Sequence, residues 1–321
     1  MRIPLHTVAR LWVVLLSFIT LMACTKPEPL AIGLHPWPGY ESLYLAETFG
    51  WLPEGVRLHR SANASGTLDA LRAGDLDGAA LTLDEVLTAR SERIPLTVIM
   101  IMNISVGSDV VLARPEIESF ADLRGRNIAV EHSAVGEIVL SQLLQAADLS
   151  RDEVNVLDIP PNQQSAAWRD QLIDVAVSYY PSAALLERQG AVTLLDSRAF
   201  PSLIFDVLAV RQDRLRGRSS LITDLVAAHF QGLQHIQTNR EDALRRIAAW
   251  RNFQVNEIAQ SFAGLELPSV AGNRHLLAPQ GELLRAARQL NELMVTIGLL
   301  AQADSLNHLV DQRYLPRDTR Q

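Results

Sequence analysis

The chain has a single cysteine, Cys24, and a single lysine, Lys26, in 321 residues. Both stand before residue 30, so what folds downstream has no thiol, and disulfides, thiolate metal sites and cysteine nucleophiles are excluded there. Arginine supplies every other basic side chain, and it never clusters into a basic run. With a net charge of -7, the electrostatic footprint of a nucleic-acid-binding protein is missing. Also missing are the H-E-x-x-H spacing of a zinc hydrolase, a G-x-S-x-G elbow and a Gly-rich phosphate loop. His35, His59, His132, His229, His235, His275 and His308 show no metal-ligand spacing and read as surface or satisfied core residues. No metal and no cofactor is expected, and no enzymatic activity. What the chain does have is 48% hydrophobic against 20% charged residues, enough for one sizeable core or two joined ones resting on hydrophobic burial alone.

The first residues carry Arg2 and Arg10, then an apolar run from Leu11 to Met22 broken only by Ser17 and Thr20, then Ala23 before Cys24. That is the layout of a secretion signal. A run of about a dozen residues falls short of the roughly twenty a spanning helix needs, and Lys26, Pro27 and Pro29 follow at once. Leu21-Met22-Ala23-Cys24 resembles the lipobox of bacterial lipoproteins. The resemblance implies a signal peptide over 1–23, acylation of Cys24 by palmitate-type chains, and a lipidated N-terminus and linker over 24–29. The expected location is the periplasmic face of a bacterial membrane, or the extracellular face where the host has one membrane. In lipoproteins of this kind Asp after the cysteine is associated with inner-membrane retention, so Thr25 leaves inner against outer membrane open.

From Leu30 the pattern alternates short apolar runs with helical spacing. Strands are expected at Leu30 to His35, Val56 to His59, Gly78 to Thr82 and Leu96 to Met102, and helices at Tyr40 to Gly50, Thr67 to Ala73 and Leu83 to Ser91. A similar order recurs: strands Ile128 to Glu131, Val154 to Ile159 and Val175 to Tyr179, helices Glu137 to Ala147 and Gln164 to Gln171, and a turn at Ser133 to Gly136. Asp77 and Asp174 each stand after a short helix and before a small, apolar strand. Such alternation predicts an α/β protein of two lobes, each a mostly parallel sheet flanked by helices. Ser108 to Ala113 and Ile204 to Val210 are the natural crossings, which gives a first lobe over 30–108 plus 205–321 and a second over 109–204. Past Arg211 the chain reads as nearly all helix, with long amphipathic stretches at Leu221 to Thr238 and Glu282 to Ile297 suited to packing on the first lobe. Two facing sheet edges make a ligand cleft at the carboxyl ends of their strands.

Four segments carry a further resemblance: Gly33 to Tyr40 (GLHPWPGY), Leu71 to Ala79 (LRAGDLDGA), Phe120 to Val130 (FADLRGRNIAV) and Asp174-Val175-Ala176. In their order and spacing, from about Ala31 to Val210, the chain resembles the periplasmic solute-binding proteins of ABC importers, in the nitrate, sulfonate, taurine and thiamine-precursor group. The resemblance implies a periplasmic-binding-protein-like fold of type II. It also implies a monomer that closes by a hinge motion on a small solute and delivers it to a permease and its ATPase. The thiamine-pyrimidine synthases of the wider group carry a cysteine-rich motif that this chain cannot supply. A lipoprotein that reports its ligand to a membrane sensor, without transport, would look the same in sequence.

Candidate ligand contacts follow from the strand ends. In the first lobe these are Trp37 and Tyr40 in a Pro-rich turn, whose aromatic faces suit a flat or cationic group, with Tyr40 equally able to cap the core. Thr82 and Asp84 follow the next strand, where Thr82 could instead cap the helix through Asp84 and Glu85. Ser108 and Asp109 lie at the first crossing and Asp206 on the return, with hinge hydrogen bonding as the alternative for the first two and a structural hinge role for Asp206. In the second lobe, Glu131, Ser133 and Gly136 end a strand and open a helix whose free N–H groups suit an acceptor, with a plain N-cap by Ser133 as the alternative. Tyr179 and Tyr180 end the Asp174 strand, one of the two being core. Asp84, Asp109, Glu131 and Asp206 are acidic and no strand-end position is Arg. Because a buried anion needs compensating donors or positive charge, the expected ligand carries amino or cationic groups, a heteroaromatic amine stacked on Trp37 among the options.

Overall fold

The structure is a computed structural model that describes residues 28–317. The signal-like segment, Cys24 and Thr25 lie outside the described residues. In chain order the strands are β1 (Leu30–Leu34), β2 (Val56–Arg60), β3 (Gly78–Thr82), β4 (Leu96–Ser105), β5 (Asp109–Ala113), β6 (Asn127–Val130), β7 (Asn155–Asp158), β8 (Val175–Tyr179), β9 (Val192–Asp196), β10 (Phe205–Arg211) and β11 (Leu265–Glu266). They form a six-stranded sheet ordered β11-β4-β10-β3-β1-β2 and a five-stranded sheet ordered β7-β6-β8-β5-β9.

Without β11, the two sheets share one plan. In each, the first strand of the unit lies between the second and third, and a strand arriving from the other sheet is inserted before the fourth. β1 pairs in parallel with β2 and β3, and β6 with β7 and β8. The inserted strands β10 and β5 run antiparallel to both their neighbours. Four of six strands thus run one way in the first sheet, and four of five in the second. The chain leaves β4 at the carboxyl edge and enters β5 from that same edge, and it returns from β9 to β10 likewise, so each inserted strand must point against its sheet. Such crossings at a shared edge place the carboxyl ends of the two parallel sets face to face.

The repeated aspartates explain themselves in the same terms. Asp77 accepts the Ala31 N–H at 2.9 Å while its own N–H donates to Ala31 O at 2.8 Å. Asp174 does the same to Asn127, accepting its N–H through the side chain at 2.9 Å and donating to its carbonyl at 2.9 Å. Each aspartate therefore clamps the entrance of the third strand of its unit to the first, and in doing so satisfies a backbone donor at the sheet edge that would otherwise go unpaired.

Element boundaries shift by a few residues where caps outvote periodicity. The helix expected from Thr67 begins at Ala64 because Asn63 accepts the Gly66 N–H at 2.9 Å. The turn expected at Ser133 to Gly136 is the first turn of the helix Ala134–Ala147, with Ser133 as its N-cap. Pro38–Tyr40 is a short 3-10 turn ahead of the helix Glu41–Thr48. The long amphipathic helices back the first lobe. Ser219–Thr238 packs on Glu41–Thr48, so closely that a Cβ on Gly232 would stand 2.0 Å from Ser42 O, and Glu282–Thr296 packs on Leu83–Ser91. No helix of the described residues is long and apolar enough to cross a membrane.

Candidate functional site: an acid-lined cleft between two sheets

The first lobe builds its side of the cleft from one hydrogen-bonded chain. Trp37 Nε1 donates to Asn103 Oδ1 at 2.9 Å, Asn103 Nδ2 donates to Asp206 Oδ2 at 2.7 Å, and the Tyr40 hydroxyl donates to Asp206 Oδ1 at 2.6 Å. The sequence permits this because residue 39 is glycine: a Cβ there would fall 1.6 Å from Asn103 Oδ1. His35 stands edge-on to Tyr40, with ring centroids 5.1 Å apart at 83°. Burial, aided by the positive charge of Arg251, pushes its imidazole down to about 3, so it is neutral.

The second lobe answers with Asp109, Glu131, Ser133 and Tyr179. Asp109 opens β5 opposite Tyr179, as Asp206 near the start of β10 stands opposite Thr82. The two aspartates therefore occupy matching places in the repeated plan, one on each inserted strand. Tyr179 packs edge-on against Trp37 across the cleft at 5.6 Å between centroids. Glu131 reaches across to the first lobe, where Oε1 accepts both the Ser65 N–H at 2.9 Å and the Ser65 hydroxyl at 2.8 Å. The lobes are thus closed on one another.

Two adjoining chambers lie in this closed cleft, each with a cavity volume of about 10 Å³, the room of about one water. Asp109, Val135 and Tyr179 border both; His35, Trp37, Ala64, Thr82, Glu85 and Asp206 complete one, and Glu131, Ser133, Gly136 and Ser178 are among the lining of the other. A roomier hollow of about 490 Å³ opens elsewhere, by Thr97, Gln212 and Tyr314 at the far end of the first sheet. Three of its polar side chains are engaged locally: Thr97 donates to His308 O and Arg313 pairs with Asp311. The cleft is the stronger candidate because buried polar groups without partners converge there.

Asp84 and Glu85 are fully buried, and Asp109, Glu131 and Asp206 are at most 4% exposed. Among the described residues, Asp84 Oδ1 and Oδ2, Glu85 Oε1, Asp109 Oδ2 and Ser178 Oγ meet no hydrogen-bond partner. The Thr82 hydroxyl lies beside Asp84 without reaching hydrogen-bond geometry. Burial, then the charge of Asp109, lifts Asp84 to about 7, and burial lifts Asp109 to about 7. Glu85 is pushed well up by burial and then by Asp84, and Asp206 by burial and Asp109 against the pull of Tyr40 and Asn103. Glu131 is raised by burial, offset by its bonds to Ser65.

Comparison with known proteins now bears on this geometry. The family model described as NMT1/THI5 like matches residues 37–243. The chain belongs to that family. A protein of Brucella abortus (strain 2308) named as a binding protein is 27% identical over 198 residues, 59% of this chain and 61% of its own length. The chain therefore spans less than two thirds of that relative. The taurine-binding periplasmic protein of Escherichia coli (strain K12) is 28% identical over 149 residues, 45% of this chain and 46% of its own length. Among solved structures, the alkanesulfonate-binding protein SsuA of Xanthomonas axonopodis pv. citri, bound to MOPS, superposes with a TM-score of 0.75 at 16% identity, covering 90% of this chain and 99% of that one. The desulfurization enzyme DSZB superposes with a TM-score of 0.67 at 18% identity, covering 90% and 98%. At these identities the structural likeness is one of fold. It is the two-lobed, periplasmic-binding-protein-like α/β fold expected from the sequence.

In this NMT1/THI5-like chain the expected contacts sort into three groups. Trp37, Thr82, Asp109, Glu131, Ser133, Gly136, Tyr179 and Asp206 come together around the chambers. Tyr40 stands one layer behind, fully buried and spent on Asp206; Tyr180 is core, its hydroxyl bonded to Glu187 and to Gln260. Two expected contacts do not line the cleft. The Ser108 hydroxyl donates to Ser261 O at 3.0 Å beside the hinge, and Asp84 is turned behind the chamber while its neighbour Glu85 faces it. The register of the helix Leu83–Ser91 decides that exchange, since Glu85 is drawn back to accept the Thr82 N–H at 3.0 Å. His35, Asn103, Ser65 and Ser178 were not expected. Asn103 falls one residue beyond the strand expected to stop at Met102, and a β4 carried on to Ser105 would have placed it beside Asp206.

Proposed function

We propose that this chain is the solute-binding component of an ABC-type importer, a protein that closes its two lobes on a small molecule carrying an amino or cationic group and hands it to a permease and its ATPase. The carrying observation is the convergence of four buried carboxyl groups, Glu85, Asp109, Glu131 and Asp206, and an aromatic wall on one cleft with no guanidinium among its lining residues. A buried sulfonate or nitrate would meet carboxylates there, whereas an ammonium or a flat cationic ring meets acceptors at Asp109 and Glu85 and aromatic surface at Trp37 and Tyr179. The names of the relatives, binding proteins for taurine or alkanesulfonate among them, support capture and import; the carboxyls set this ligand apart from a simple sulfonate. We read the chain as a binder, not an enzyme, since the sequence supplies no thiol beyond Cys24, no G-x-S-x-G elbow and no H-E-x-x-H spacing. Acylation of Cys24 would keep the binder beside its membrane partner.

A thermal-shift screen of the purified chain tests the reading. A ligand at 100 times its dissociation constant adds about 2.7 kcal/mol of stability, so amines and heteroaromatic amines should raise the melting temperature while nitrate and simple alkanesulfonates should not. Stabilisation by nitrate or an alkanesulfonate alone would refute it.

A further inference from the structure

Four carboxyl groups, with Asp84 close behind them, cannot share a closed, nearly dry cleft as anions, because a buried charge without a partner is strongly unfavourable. Two of the four are held by donors from other elements: Asp206 at both oxygens by Tyr40 and Asn103, and Glu131 by Ser65; Glu85 accepts the Thr82 N–H at one oxygen. Asp109 and Glu85 are different. Each faces the chamber and each keeps one buried oxygen without a partner.

Among the described residues, none of positive charge acts on them to hold them ionised. Behind Glu85 on its own helix stands Asp84, with the same sign. From the turn after β1 come the neutral His35 and the hydroxyl of Tyr40, and from β8 the hydroxyl of Tyr179, whose ionisation burial forbids. Across from them stand Asp206 on β10 and Glu131 after β6, the latter also feeling Asp158. The guanidinium of Arg251 is committed to Glu41, at 2.6 Å, and to the face of Tyr44.

We infer that this cleft takes up an organic cation in exchange for protons, the carboxyl groups of Asp109 and Glu85 being the exchanging pair. In the closed, unliganded form their O–H bonds carry the protons. When a cation enters, an O–H bond breaks, its proton passes to bulk water, and the carboxylate left behind faces the positive charge of the solute. The inference rests on the amine-or-cation reading above and narrows it: the favoured ligand bears a full positive charge, and a neutral molecule of the same shape is rejected because it cannot discharge the pair. Affinity must then rise with pH through the range in which the protons are lost, by about tenfold per pH unit for one proton exchanged.

Titration calorimetry on the full chain decides it, at pH 6 and 7 and in two buffers of different ionisation enthalpy. The probes are three permanent or strongly basic cations (N-methyl-4-aminopyridinium, choline and guanidinium) and 4-methylaniline, the neutral isostere of the first. The expected result is binding of at least one cation with release of about one proton, affinity about tenfold weaker at pH 6 than at pH 7, and binding of the isostere at least tenfold weaker than its cation. In the double variant Asp109→Asn, Glu85→Gln the proton release should vanish, with a cooperative thermal transition showing that the fold persists. Cation binding that is independent of pH and buffer would overturn the exchange while leaving the cationic ligand standing. Failure of all three cations to bind would overturn both.

Discussion

Asp109→Asn should make the unliganded protein more stable at neutral pH. The Asp109 carboxyl sits at about 7 against an ordinary 3.8, raised by burial. An acid whose folded value is raised binds its proton more tightly when folded, so stability is full below the unfolded value and is lost as pH climbs towards the folded one. The window is therefore about pH 4 to pH 7. A displacement of about three units corresponds to roughly 4 kcal/mol at pH 7.5, a ceiling because the cleft can open and rehydrate the carboxylate instead. The substituted amide is isosteric and uncharged, and keeps one acceptor for the chamber. At about 2 °C or more per kcal/mol for a chain of this size, the variant should melt several degrees above the wild type at pH 7.5 and level with it at pH 4. Differential scanning calorimetry across that range provides the curve. Wild-type and variant profiles that run parallel would show that Asp109 titrates like a solvated carboxyl, and the argument for a dry acid pair would fail.

Two further perturbations test how the lobes are built. Glu41 is 2% exposed and depends on Arg251 and on the Trp250 N–H, at 2.6 and 2.9 Å; Arg251→Gln strands a buried carboxylate and should cost about 3–5 kcal/mol in urea unfolding, and an unchanged midpoint would contradict the pairing. Asp174→Ala leaves the Asn127 N–H without its acceptor and should cost about 1–3 kcal/mol, with faster amide exchange confined to β6 and β8; a loss spread evenly over both sheets would argue against a local clamp.

The fold was legible because its signals are local and repeated. Gly74 ends one helix in the left-handed conformation at φ 82°, Asp77 and Asp174 mark matching strands, and the apolar runs are short enough to separate strand from helix. Strand direction was less so: nothing in the composition of Phe205–Arg211 or Asp109–Ala113 says that these strands enter their sheets from the carboxyl edge, a property of the crossings. The cleft was half legible. Residues at or just past the ends of parallel strands, such as Trp37, Thr82, Glu131 and Tyr179, could be named from the pattern, whereas Asn103 and Ser65 enter through pairing and a cross-lobe contact. Asp84 and Glu85 show the limit sharply. Adjacent on one helix and alike in charge, they differ only in which way the first turn points them.

The direct measurement is of closure itself. Ala62 and Asn162 are exposed, one just past β2 and one in the first turn of the helix Pro161–Arg169 after β7, these being the edge strands farthest from the crossings. With Cys24→Ser removing the native thiol, spin labels on Ala62→Cys and Asn162→Cys report the width of the mouth by double electron-electron resonance. The account predicts a broad distance distribution without solute at pH 8, where the ionised carboxyls hold the lobes apart. Saturation with a cation that binds should collapse it to one short, narrow distance. A distribution unchanged by a cation whose binding is seen calorimetrically would contradict it.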